Sequence, residues 1–136
     1  MIIRKVQDVE ELDVGDMFGI PDMGIKIQWL VHNAVGDETY GHRFAFRRFT
    51  LKPKASHPIH HHKYVQCAYI LSGTAFFKGS DGEEMEVGPD TIVYTASEEA
   101  HGMRAGTDGV TLLCVIECID GGENCVPEVK HYSLDE

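Results

Sequence analysis

The chain has 136 residues, with 12 Lys+Arg against 22 Asp+Glu, so its formal charge is −10 with histidine neutral. That length suits one compact domain, and 43% hydrophobic with 25% charged residues is the balance of a folded globular protein, not a disordered one. A charge of −10 excludes partners that are themselves polyanions: no nucleic acid and no anionic membrane surface is expected to bind it.

The N-terminus, Met1-Ile2-Ile3-Arg4-Lys5, is charged almost at once and has no apolar stretch of signal-peptide type. The longest apolar run, Leu112 to Ile116, stops at Glu117, far short of a membrane span. A soluble cytoplasmic protein is expected. In such a compartment Cys67, Cys114, Cys118 and Cys125 are expected as free thiols, although Cys118 and Cys125 could approach across Gly121-Gly122. No C-x-x-C pair suggests a zinc knuckle.

In chain order, a short helical turn is expected near Val9 to Leu12. Ile25 to Val31 then alternates as a strand, and residues 42–51 interleave Phe44, Phe46 and Phe49 with Arg43, Arg47 and Arg48. Gln66 to Leu71 is a third strand, with Ser72-Gly73 read as a turn and Ala75-Phe76-Phe77 as the return. Gly79-Ser80-Asp81-Gly82 and Gly88-Pro89-Asp90 flank Glu84 to Val87, Thr91 to Tyr94 follows, and Val110 to Ile119 is the last strand. Short strands at even spacing, cut by turn residues, with 14 glycines and no long amphipathic helix, read as an antiparallel sandwich or barrel in one domain spanning residues 1–136.

Composition does not account for eight histidines, four of them between His57 and His62. On a strand, alternate side chains share a face, so His60 and His62 can grip one metal ion while His61 points away. Gln66 has the same parity but would lie roughly 13 Å beyond His62 on a straight strand. It can join only if Lys63 to Val65 turns the chain and places it on the neighbouring antiparallel strand. His101, after Ser97-Glu98-Glu99, is the natural further ligand. His32, His42 and His131 have no partner pattern and are read as surface. Glu83-Glu84 and Glu98-Glu99 are read as solvated faces.

His60-x-His62-x-x-x-Gln66, then six residues and Gly73, resembles the first motif of the cupins, H-x-H-x(3,4)-E-x(6)-G. Gly88-Pro89-Asp90 leading to His101 resembles the second, although Ala96 to Ala100 departs from its usual Pro/Gly spacing. The resemblance covers residues about 42–119 and implies an all-β double-stranded β-helix, or jelly-roll barrel. N-terminal strands and a short C-terminal extension flank it. It also implies a homodimer and one divalent transition metal (Zn, Fe, Mn, Ni or Cu) inside the barrel on His60, His62, Gln66 and His101. Where the family usually has Glu, this chain has Gln66. A neutral ligand set leaves the full +2 on the ion, which makes it a stronger Lewis acid and favours the reduced state of a redox metal.

Around that site, family position suggests Arg47 as a pocket cation able to hold an anionic small molecule. Cys114 shares a face with Val110, Leu112 and Ile116 and is a pocket wall or a plain buried residue. Met103 could line an apolar cavity, as could Trp29, Phe49 and Ile70. His57 is expected as an exposed loop residue with a possible role near the metal, and Tyr64 as an acid in the ligand turn. The first expectation for function is O₂-dependent oxidation of an enediol, phenol or keto acid by a metal-dependent dioxygenase. Set against it are a non-redox isomerase, lyase or cyclase, and a binding module without turnover.

Overall fold

The structure is a computed structural model that describes residues 1–33, 35 and 43–127, with the backbone of 133–134; His42 and His131 lie outside the described residues. The strands are β1 (Glu11–Asp13), β2 (Ile25–Val31), β3 (Phe44–Leu51), β4 (Ser56–His61), β5 (Gln66–Gly79), β6 (Glu84–Val87), β7 (Ile92–Thr95), β8 (His101–Glu117) and β9 (Ser133–Leu134). All the pairings are antiparallel. One sheet runs β1-β2-β3-β8-β5-β7 through the C-terminal half of β8 and the N-terminal half of β5. The other runs β9-β4-β8-β5-β6 through the opposite halves of the same two strands. The result is the all-β jelly-roll barrel that the sequence implied. Among the described residues no helix is long and apolar enough to cross a membrane.

The two long strands differ from the sequence reading. Ser72-Gly73 does not reverse the chain, because β5 continues to Gly79 and stays paired with β8 throughout. The register shifts between Ile70 and Ser72 and again between Gly73 and Ala75. Gly73 (φ +83°) faces Gly109 (φ +72°), and a Cβ on Gly73 would stand 2.1 Å from the Gly109 carbonyl oxygen. Gly73, paired with Val110, and the adjacent Gly109 thus let both strands bend together and pass from one sheet to the other, so a turn signal marks a bulge here. The bulge also switches parity, with Ala68 and Ile70 buried before it and Ala75 and Phe77 after it. The last strand correspondingly begins at His101, not at Val110.

At the N-terminus the expected turn at Val9 to Leu12 is displaced. A single 3₁₀ turn spans Val6–Asp8, and helix α1 occupies Val14–Phe18. Asp13 caps α1 by accepting from the Gly15 N–H at 2.8 Å. The core lies between the sheets. Alternation along β3 buries Ala45, Arg47, Phe49 and Leu51, and along β8 it buries Val110, Leu112, Cys114 and Ile116.

The cysteine expectation is corrected in part. Cys118 and Cys125 are disulfide-bonded, while Cys67 and Cys114 are free. Gly121 and Gly122, both at positive φ, fold the Asp120–Cys125 turn back on itself and bring the two Cα atoms to 5.8 Å, within disulfide reach.

Candidate metal centre

His60, His62 and His101 come together. One ring nitrogen from each lies within 4.8 Å of the others, and all three residues are buried. His60 and His101 are cross-strand partners on β4 and β8, and His62 follows β4 directly. Their rings are oriented by backbone carbonyls. His60 Nδ1 donates to Pro58 O at 2.9 Å, His62 Nδ1 to Tyr64 O at 2.7 Å, and His101 Nδ1 to Glu99 O at 2.8 Å. A carbonyl oxygen can only accept, so each Nδ1 carries its ring's proton and each Nε2 is left with a lone pair. This is how metal-binding imidazoles are held, with the outer nitrogen fixing tautomer and aim. The donor set therefore fits a divalent transition ion.

Burial keeps the His60 and His62 rings neutral. Desolvation, reinforced by the neighbouring His57 and His101, pushes the His60 pKa down to about 2. Desolvation likewise lowers His62 to about 4, against the opposing hydrogen bond to Tyr64. An incoming cation then has no proton to displace at neutral pH.

Gln66 reaches the cluster, with its Oε1 3.0 Å from His62 Nε2. The chain does turn at Lys63 to Val65, but Gln66 does not land on a strand bonded to β4. It opens β5, opposite Ile116 of β8 and Thr95 of β7. The side chain approaches from the other sheet, across the barrel interior.

His57 corrects the expectation of an exposed loop. It is a buried strand residue whose ring centroid is 4.4 Å from that of His60 and 5.0 Å, edge-on, from that of Phe18. Its sequence parity differs from that of His60, yet both rings are buried on the same side. The β4–β8 register slips by one residue between them (His57 opposite Met103, His60 opposite His101), and Pro58 sits in the bulge. Desolvation lowers the His57 pKa to about 4.

A small cavity of about 40 Å³ opens beside the cluster. Its wall includes His57, His60, His101 and Gln66, together with Arg47, Cys114 and Met103; Phe49, Ala68, Phe77 and Leu112 complete it with apolar surface. Arg47 points inward, as family position suggests, and is only 1% exposed. Its guanidinium lies 5.3 Å from the Trp29 ring and 5.2 Å from the Phe49 ring, and Nη2 donates to Cys114 Sγ at 3.1 Å. Arg48 points outward, to Gln28 Oε1 and Thr50 Oγ1. Trp29, Phe49 and Ile70 are core residues.

Tyr64, expected near the site in the ligand turn, is not part of the cavity wall. It is buried behind His62, stacked on that ring at 3.9 Å and 6°. His61 faces away, with Nδ1 3.8 Å from the Glu98 carboxylate. The Glu98-Glu99 pair has a role that its composition did not signal. Glu98 N–H donates to His62 O at 2.7 Å, and Glu99 supplies the carbonyl that orients His101, so the backbone of this turn ties the two histidine segments together. Such main-chain roles leave no residue-type signature.

Comparison with known proteins agrees with this geometry. The chain is 22% identical over 116 residues to an L-ectoine synthase of Bordetella petrii, covering 85% of this chain and 80% of the relative. Among solved structures it resembles the polyketide cyclase RemF from Streptomyces resistomycificus (24% identity, TM-score 0.71), over 87% of this chain and 80% of that one. It also resembles an RmlC-like cupin from Shewanella frigidimarina (19% identity, TM-score 0.66), over 84% and 87%. These structural likenesses establish the fold. The cupin domain family model matches residues 47–116, from the cavity arginine to the end of the last barrel strand, and the chain belongs to that family.

Proposed function

We propose that this protein is a metal-dependent enzyme that uses one divalent ion as a Lewis acid on a small anionic substrate, in a ring closure, elimination or isomerisation without net oxidation. The ligands are His60, His62, His101 and Gln66. The observation that carries the reading is the charge of the site. Three neutral imidazoles and an amide surround the ion, Arg47 lies in the same cavity wall, and that wall has no carboxylate among the described residues. The bound ion would supply polarisation of a carbonyl or carboxylate oxygen.

The chain's own residues would do the rest. Arg47, its guanidinium within cation–π reach of Trp29 and Phe49, orients the substrate's anionic group. Phe49, Phe77 and Leu112 keep bulk water from the reacting atoms. His57, neutral and within the wall, offers a hydrogen-bonding imidazole beside His60. Similarity to a polyketide cyclase, named for a ring-forming reaction, supports this reading.

O₂-dependent oxidation remains the second reading, favoured by the same neutral ligand set because it holds a redox metal in its reduced state. Elemental analysis of natively purified protein, with His60→Ala as control, tests the shared premise. Turnover in the absence of O₂ supports the first reading, and turnover only with stoichiometric O₂ consumption supports the second.

We also propose a homodimer through the outer sheet face. Phe46, Val115, Cys67 and Tyr94 form one cross-strand row there, and Leu113, Tyr69 and Ile92 form the next. Tyr94 and Ile92 are each 63% exposed, and apolar rows of this kind usually mark interaction surfaces.

A further inference from the structure

The corner that carries His62 and Gln66 is held from outside the site. Two groups define it: Tyr64 O, which accepts from His62 Nδ1 at 2.7 Å, and Gln66 Oε1, 3.0 Å from His62 Nε2. Val65 lies between them in sequence. Its N–H donates to Glu117 Oε1 at 3.1 Å, and its carbonyl accepts from the Glu117 N–H at 3.4 Å. One residue at the end of β8 therefore grips both the N–H and the carbonyl of Val65, the residue just before Gln66 in the turn between the two candidate ligands.

Glu117 is itself braced. Its carbonyl accepts from Asn124 Nδ2 at 2.6 Å, and Asn124 Oδ1 accepts from the Ile119 N–H at 2.9 Å. The Cys118–Cys125 disulfide closes this segment. The segment is pinned to the sheet by Cys118 N–H to Arg43 O at 2.9 Å and Asn33 N–H to Cys125 O at 3.2 Å. Continuous contacts thus run from a covalent loop through Glu117 and Val65 to the metal corner.

We propose that Glu117 is a positioning residue for the metal centre. It fixes the Lys63 to Val65 turn so that the Gln66 amide meets the His62 ring, and the disulfide loop holds Glu117 in place. The inference rests on the reading of His60, His62, Gln66 and His101 as ligands. Glu117 acts through hydrogen bonding, so its charge is dispensable.

The test is a Co²⁺ titration of the full-length protein after chelator treatment, reading the dissociation constant and the d–d absorption bands. Glu117→Ala is expected to bind about three- to tenfold more weakly, the worth of one hydrogen bond, with altered band intensities as the Gln66 donor loses its fixed place. Glu117→Gln keeps an acceptor for the Val65 N–H and is expected to restore wild-type affinity and spectrum. If the Ala variant does not fold, Glu117→Asp, which draws the acceptor back by one methylene, is expected to show the same spectral change.

A residue that merely stabilises the fold would lower the unfolding temperature and leave the bands unchanged, and that outcome overturns the inference. A Gln variant as weak as the Ala variant overturns it in favour of an electrostatic role. Wild-type protein that binds no Co²⁺ overturns the metal reading itself, and this inference with it.

Discussion

His62 Nε2 and Gln66 Oε1 face each other at 3.0 Å, and neither atom carries a proton. The ring's proton is on Nδ1, donated to Tyr64 O, and burial holds the ring's pKa near 4. Two lone pairs so placed can both face one cation. Two ligands at about 2.1 Å from one ion and at right angles stand about 3.0 Å apart, the spacing found here. Replacing the amide by a carboxylate should therefore tighten the site. Gln66→Glu is expected to raise Co²⁺ or Zn²⁺ affinity at least about tenfold, or ~1.4 kcal/mol, and Gln66→Ala to lower it. Isothermal titration of metal-free protein measures both, and equal affinities across the three would show that Gln66 does not coordinate.

The buried rings make the metal-free protein sensitive to acid. In the unfolded chain each histidine titrates near 6.5, whereas in the fold His57 and His62 titrate near 4 and His60 near 2. Between those values the unfolded state binds protons that the native state refuses. Stability is therefore complete above about pH 6.5 and falls as the pH is lowered toward 4, by up to ~1.4 kcal/mol per pH unit for each ring. Thermal unfolding of chelator-treated protein from pH 7.5 to 5 should show the melting temperature dropping. A flat profile would contradict burial of neutral imidazoles.

Gly102 lies where β4 comes close to β8. A Cβ there would stand 3.1 Å from His57 O, Ile59 N and Ile59 Cγ1, all in the bulge that brings His57 and His60 to the same side. Gly102→Ala is expected to push the two strands apart beside the His60–His101 pair. The cost should be about 1–3 kcal/mol in stability, with weaker metal binding. Urea unfolding and a metal titration on the same preparation measure the two effects.

Trp29 is the chain's single tryptophan, and its ring lies 5.3 Å from the Arg47 guanidinium, so its emission reports on the cavity. Titration with a small carboxylate such as pyruvate is expected to change Trp29 fluorescence saturably. Arg47→Met should abolish the response. A response that survives in Arg47→Met would remove Arg47 from anion binding.

A dimer built on the outer face would be broken by charge placed in its apolar rows. Tyr94→Lys together with Ile92→Lys is expected to give a monomer by light scattering, with the fold intact because both side chains are largely exposed. Wild-type protein that is already monomeric would rule out the dimer.

The sequence by itself determined whatever depends on periodicity and local spacing. Period-two alternation put Arg47 and Arg48 on opposite faces and turned His61 away from His60 and His62, the family resemblance pointed Arg47 and Cys114 inward and implied the jelly roll, and the H-x-H pair with a distant His101 was legible as a metal cluster. Tertiary structure decided whatever depends on where a strand bends. Gly73 reads locally as a turn, and only its pairing with Val110, with the Gly109 carbonyl pressed against it, makes it a bulge that carries β5 from one sheet to the other. The slip at Pro58 brings His57 into the cavity wall against its parity, and the same kind of non-local pairing sets Gln66 across the barrel from β4. The grip of Glu117 on Val65 joins segments whose approach no local pattern encodes, and only the folded turn decided that Cys118 and Cys125, able to approach across Gly121-Gly122, are bonded. Side-chain alternation is a property of the chain and can be read along it, whereas bulges, register slips and main-chain hydrogen bonds are fixed by the partner strand and exist only once the barrel has closed.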